Sequence, residues 1–166
     1  MNYIGIDPGL SGAIAVIFGG GAVDVYPIQS IKVSKGRRID RLSLHEIFID
    51  IVNRIDGDGC TSFCCIEKQA PRPMDGKGNA FKGGVGYGIL LGMLQAMEIP
   101  HEEVSPNAWK KAMLGSNAEK GDSIIKAQSL FPTANLYRTD KCKTKSHDIA
   151  EALLLAEHAR RMRGGK

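Results

Sequence analysis

The chain opens with two short apolar runs, Tyr3 to Asp7 and Ala13 to Phe18, separated by Pro8-Gly9-Leu10-Ser11-Gly12. Gly19-Gly20-Gly21 marks a second turn, and between Ala22 and Pro27 the apolar Val23 and Val25 alternate with other residues. This pattern predicts a three-stranded antiparallel meander with an acid, Asp7, at the end of its first strand. Residues 28–41 are polar and basic and read as a loop. Ser43 and Glu46 have capping-box spacing and predict a helix to about Ile55, stopped by Gly57-Asp58-Gly59. Thr61 to Glu67 predicts a buried strand that again ends in an acid. Residues 68–84 are rich in Pro, Gly and Lys without periodicity and read as a long loop. Val85 to Met97 is apolar nearly all round, with Gln95 its only strongly polar side chain. Such a helix is expected to be buried on two sides, by the sheet on one and by a second subunit on the other. Val104 predicts a short strand, Ser105-Pro106 starts a helix through Trp109, and Asp122 to Phe131 forms another. A polar, Lys-rich loop over 132–146 then leads to a last helix from Ser146 or His147 to about Arg163. An antiparallel meander followed by alternating helices and strands predicts an α/β fold: a central mixed five-stranded sheet flanked by helices.

Length and composition narrow this picture. The 166 residues, 43% of them apolar, suit one domain over 1–166 with a basic tail from about Arg160. No run approaches the ~18 consecutive apolar residues of a membrane span, and the N-terminus lacks the basic and apolar regions of a secretion signal. Cys60, Cys64 and Cys65 crowd one stretch and Cys142 stands apart, with no C-x-x-C pair, so a zinc site is poorly supported. Reduced thiols are expected, Cys64 and Cys65 buried, in a cytoplasmic protein of a bacterium or a phage-infected cell.

Charge is unevenly spread. Ser105 to Lys166 holds 12 Lys/Arg and 6 Asp/Glu, whereas residues 1–104 hold 10 and 12. A basic final third fits an electrostatic face for a polyanion.

Four acids then stand out. Asp7 and Glu67 end strands, while Asp148 and Glu151 are three apart at the start of the last helix and project from one face. If the two acid-ending strands are neighbours, all four converge. Gathered carboxylates repel unless cations neutralise them, and hard oxygen ligands suit Mg²⁺ or Mn²⁺. Two such ions about 4 Å apart activate water and stabilise a leaving oxygen in phosphodiester hydrolysis. Taken singly, each acid also has an ordinary explanation: turn chemistry at Asp7, a surface charge at Glu67, and a helix-dipole partner at Asp148. No G-x-x-x-x-G-K-[ST] follows the Gly9/Gly12 turn, which excludes a P-loop nucleotide site.

Ile4-Gly5-Ile6-Asp7-Pro8-Gly9-Leu10-Ser11-Gly12 resembles the opening of the RuvC family of Holliday junction resolvases, within the RNase H-like superfamily. Cys65-Ile66-Glu67 is similar to that family's second acidic strand. Val104-Ser105-Pro106 with Trp109-Lys110, then Lys120-Gly121-Asp122, is similar to its third segment. His147-Asp148-Ile149-Ala150-Glu151-Ala152-Leu153 resembles its closing acidic helix. The resemblance runs from residue 4 to 155, and it implies a homodimeric, Mg²⁺-dependent endonuclease of DNA recombination and repair that nicks two opposed strands of a four-way junction. It implies Asp7, Glu67, Asp148 and Glu151 as metal ligands, Lys120 as the basic residue near the scissile phosphate, and the helix near 85–97 as the dimer helix. Two departures are visible: the last acid is Glu151 where the family usually has Asp, and the aromatic that follows the second acid is missing. Phe81 is the sole aromatic in that loop, and Arg72, Lys77 and Lys82 suit phosphate contacts. Lys110, Lys111, Lys143 and Lys145 complete the candidate DNA contacts. His147 is either a proton donor beside Asp148 or a helix-start neighbour, and Trp109 reads as core. A nuclease acting on RNA–DNA hybrids, flaps or other branched nucleic acid keeps the same acids, and a non-cutting branched-DNA binding module is the remaining alternative.

Overall fold

The computed structural model describes residues 1–34, 36–57, 61–71, 76–119 and 121–164. β1 (Asn2–Asp7) is the middle strand of the sheet and is buried along its whole length. It pairs antiparallel with β2 (Ala13–Ile17), Gly5 opposite Ala15, and β2 pairs antiparallel with β3 (Val23–Pro27). The predicted meander is therefore present. β4 (Ser30–Val33) and β5 (Gly36–Ile39) form a separate antiparallel hairpin, where the sequence predicted a loop. The density of charge there hid the alternation of Ile31 and Val33. Gly36, at φ +100°, supplies a backbone conformation that a β-carbon disfavours.

α1 (Arg41–Gly57) starts two residues before the predicted Ser43 cap. Asp40 caps it instead, its Oδ1 accepting from the Leu42 and Ser43 amides at 3.2 and 3.4 Å. The predicted stop at Asp58-Gly59 lies outside the described residues. β6 (Ser62–Glu67) returns parallel to β1, with Ile6 opposite Ile66, so Asp7 and Glu67 are the next residues along two neighbouring strands. α2 (Lys77–Ala96) begins eight residues earlier than predicted. Its glycines weaken helix propensity by only about 1 kcal/mol each relative to Ala, which the rest of the helix absorbs. β7 (His101–Val104) adds the fifth strand, parallel to β6, giving the order β3-β2-β1-β6-β7. α3 (Pro106–Leu114) is capped by Ser105, and α4 (Asp122–Leu130) and α5 (His147–Gly164) follow. The basic C-terminal residues described continue α5 rather than trailing from it. Arg160 and Arg161 both pair with the buried Glu157, and Arg163 lies 4.2 Å over the Phe63 ring.

Alternate residues of the central strands build two cores. Ile4, Ile6, Val16 and Cys64 join Phe48 of α1 and Leu90 and Leu94 of α2 on one face. Ala13, Ala15 and Cys65 join α3, α4 and the Ile149–Ala156 stretch of α5 on the other. The faces differ in tightness. A β-carbon on Gly5 would overlap the Ala152 carbonyl oxygen and the Ala156 amide nitrogen, so the backbones of β1 and α5 touch. On the opposite face only Leu90 and Leu94 of α2 are fully buried. Among the described residues, none supplies the second covered side expected for that helix.

Gly5→Ala is expected to cost more than the roughly 1–3 kcal/mol of an ordinary overpacked site, because backbone rather than a flexible side chain must move. Chemical denaturation with circular dichroism checks this; a wild-type midpoint would contradict the contact.

Candidate active site

Because β1 and β6 run parallel and end together, their terminal acids lie side by side at one edge of the sheet, and α5 brings its first turns to the same edge. Asp7 and Glu67 are 8% and 9% exposed, and these figures separate them from surface carboxylates. The Asp7 carboxyl is pushed up to about 8, first by burial and then by the negative charges of Glu67, Glu151 and Asp148, in that order. The Lys110 ammonium pulls the other way. The structure thus brings the other three sequence-predicted acids within electrostatic reach of Asp7.

Each of the other three acids faces a donor or cation of the chain. Trp109 Nε1–H donates to Glu67 Oε2 at 2.7 Å, Lys110 Nζ stands 3.0 Å from Glu151 Oε1, and Arg138 Nη1 lies 3.9 Å from Asp148 Oδ2. Arg138 also donates to the carbonyl oxygens of Ser11, Gly12 and Ile28, clamping the turn that follows Asp7. Sequence reasoning missed Arg138, since one arginine in a polar loop gives no periodic or motif signal. Lys110, a candidate DNA contact from the sequence, pairs with Glu151 in the folded chain.

Among the described residues no three His, Cys, Asp or Glu side chains already form a ready-made ligand shell. The chemistry of the donors nonetheless fits a hard divalent cation. All four are carboxylates, and the most buried of them has a raised pKa, first because burial disfavours its charge and then because of the negative charges around it. Glu67, Asp148 and Glu151 are turned toward protein partners that stand in for positive charge.

Two clefts flank the acids. One, of about 380 Å³, is lined by Lys110, Ser123, His147 and Glu151. Ser123 Oγ is 3.4 Å from His147 Nδ1, so His147 is linked to α4 rather than to Asp148. The other, of about 340 Å³, runs between the Pro8–Leu10 turn, β5 and the start of α2, with Arg37, Arg38, Phe81 and Lys82 among its walls. Phe81 is 73% exposed, as a side chain available to a partner must be. Lys77, Lys111 and Lys143 are exposed and Lys145 half-buried. Arg72 and Lys120 lie outside the described residues.

No protein-family model and no curated protein matches the sequence. Among solved structures, Thermus thermophilus RuvC is similar with a TM-score of 0.58 and 21% identity, over 99% of this chain and 97% of that one. T. thermophilus RuvC in complex with a Holliday junction substrate gives 0.65 and 20%, over 99% of this chain and 96% of that one. The fold is that of RuvC. Within this RNase H-like architecture the RuvC-like sheet places Asp7 and Glu67 on its two central parallel strands, β1 and β6.

A raised carboxyl pKa makes the metal-free protein less stable in base. Between the ordinary value of 3.8 and about 8 the folded state holds a proton on Asp7 that the unfolded chain has released, so stability falls as pH rises through that window. Asp7→Asn is expected to raise the melting temperature of metal-free protein above about pH 8, with the gain shrinking toward pH 4. The alkaline gain should be a few kcal/mol. Thermal melts across pH in a chelating buffer test it, and parallel curves for the two proteins would contradict it.

Proposed function

We propose that this chain is a metal-dependent endonuclease that resolves four-way DNA junctions by paired phosphodiester hydrolysis. The observation that carries the reading is the buried Asp7 and Glu67 pair, joined by Asp148 and Glu151 of α5, at the edge of a RuvC-like sheet. RuvC itself has been captured with a Holliday junction substrate in that fold, and this chain's acids supply the chemistry such a substrate requires.

Asp7, Glu67, Asp148 and Glu151 would hold Mg²⁺, two ions being the expected number, with Mn²⁺ as a substitute. Bound there, the metal supplies Lewis-acid stabilisation and a nucleophile activated near neutral pH. The chain's own residues do the rest. Burial of Asp7 and Glu67 lowers the local dielectric, so the charge they present to a cation is screened less than at the surface. Lys110, paired with Glu151 across the cleft, is placed to release its carboxylate and meet a phosphate instead. Lys120 would add a further cation near the scissile group. Arg138 ties the Asp7 turn to the Asp148 helix start, through its carbonyl contacts on one side and its ion pair with Asp148 on the other. Exposed Lys77, Lys111 and Lys143, with Lys82, Lys145 and Arg72, suit phosphates of the junction arms, and Phe81 suits a stacked base.

Paired nicks on a symmetric junction need two equivalent sites related by a two-fold axis. α2 suits the dimer contact. Gly84, Gly88 and Gly92, four residues apart, are exposed, and a β-carbon on any of them would meet nothing within 4 Å. A partner helix can therefore approach that face closely. Gly88→Glu leaves the chain's own packing untouched and improves helix propensity, so it is expected to give folded monomers. Sedimentation checks this, and an unchanged dimer would remove α2 from the interface.

The decisive assay is nicking of an immobile four-way junction in Mg²⁺ beside linear duplex, a flap and an RNA–DNA hybrid. Paired nicks on opposed strands are expected, with Asp7→Asn reduced to background cleavage while still binding the junction. Preference for the hybrid would move the substrate, and tight binding without cutting would leave a binding module.

A further inference from the structure

Trp109 is the only tryptophan in the chain and is fully buried in the cluster that joins α3, α4 and α5. Its ring belongs to that core, but its one polar atom does not serve it. Nε1–H reaches across to Glu67 Oε2 at 2.7 Å, on a strand 42 residues earlier in the chain. A buried indole N–H requires an acceptor, and the acceptor here is a carboxylate beside Asp7 rather than a backbone carbonyl. The next residue, Lys110, pairs with Glu151 at 3.0 Å and stands 5.2 Å over the Trp109 ring. The start of α3, set by the Ser105 cap and Pro106, therefore reaches two of the four acids from consecutive positions.

We infer that Trp109 is a positioning residue for the metal site, holding Glu67 in one preset orientation through its indole N–H. This rests on the proposed metal site. The physical case is one of rotational freedom. A glutamate at a strand end has three side-chain torsions to restrict before it can ligate. A charge-assisted hydrogen bond from a side chain that is itself immobilised by core packing restricts them before any cation arrives. Outer donors of this kind typically govern metal affinity by about tenfold to a hundredfold. Packing alone explains a buried ring at this position but not the choice of acceptor for its N–H.

The test uses the full-length wild type, Trp109→Phe and Asp7→Asn. Because the chain has one tryptophan, a ¹⁵N-labelled sample gives one indole N–H resonance, and titration with Mg²⁺ alone is expected to move it. Its half-saturation should match that of the heat of Mg²⁺ binding by calorimetry. Trp109→Phe keeps an aromatic ring and drops the N–H. It is expected to bind Mg²⁺ roughly ten to a hundred times more weakly while its circular dichroism stays that of the folded chain. An indole resonance unmoved through saturation of the calorimetric signal would overturn the inference even if Trp109→Phe fails to fold. So would wild-type Mg²⁺ affinity in folded Trp109→Phe. If Asp7→Asn also bound as tightly as wild type, or if wild type gave no binding heat, the metal site itself would fall, and the inference with it. Lost binding in Asp7→Asn with retained binding in Trp109→Phe would reject only the positioning role.

Discussion

The arrangement depends on backbone-to-backbone contact between β1 and α5 at Gly5. No side chain separates them there, since a methyl group would overlap the helix backbone at Ala152 and Ala156. This contact does more than close a core. It sets the height at which α5 crosses the sheet, and so where the first turn of that helix lies relative to the end of β1. Asp148 and Glu151 can feel Asp7 because Gly5, two residues before Asp7, lets the helix come down onto the strand. The buried apolar residues Ile149, Ala150 and Ala152 to Ala156 then keep it there, with Glu151 between them half-buried.

Holding four carboxylates together opposes folding in the absence of a counter-ion, and the chain shows how it tolerates this. Asp7 carries a clear penalty, its carboxyl driven toward the neutral form first by burial and then by the charge of its neighbours. The others are balanced by groups from separate parts of the chain: an indole N–H and an ammonium from α3, and a guanidinium from the loop before α5. None of these partners lies near its acid in sequence, apart from Arg138, ten residues before Asp148. The site is in this sense a property of the packed core, and destabilising α3 should loosen two of its acids together.

The two faces of the sheet do different work. The α3–α4–α5 face is tight and serves the acids. The α1–α2 face carries a full core beneath Leu90 and Leu94, yet leaves the outer side of α2 lined by glycines with open space above them. This open apolar side is the one the proposed dimer would cover.

Much of this was legible in the sequence. Period-two runs with Gly and Pro turns located the meander, and acids at the ends of Tyr3–Asp7 and Thr61–Glu67 were visible because strands end where turn chemistry begins. The Asp148–Glu151 spacing named one helical face. Local pattern misled where a segment's state is decided by its neighbours. The basic stretch at 30–39 pairs with itself as a hairpin although its composition reads as loop, and glycines near 78–84 did not stop α2 because the helix behind them carries the turn. The convergence of the acids required β6 to lie beside β1, a long-range pairing that no local spacing encodes. The same holds for Trp109 and Arg138: residue type marked the first as core, and the second carried no signal within its polar loop. Only the packed chain, by bringing α3 and the loop before α5 against the ends of β6 and β1, turned their donors toward the site.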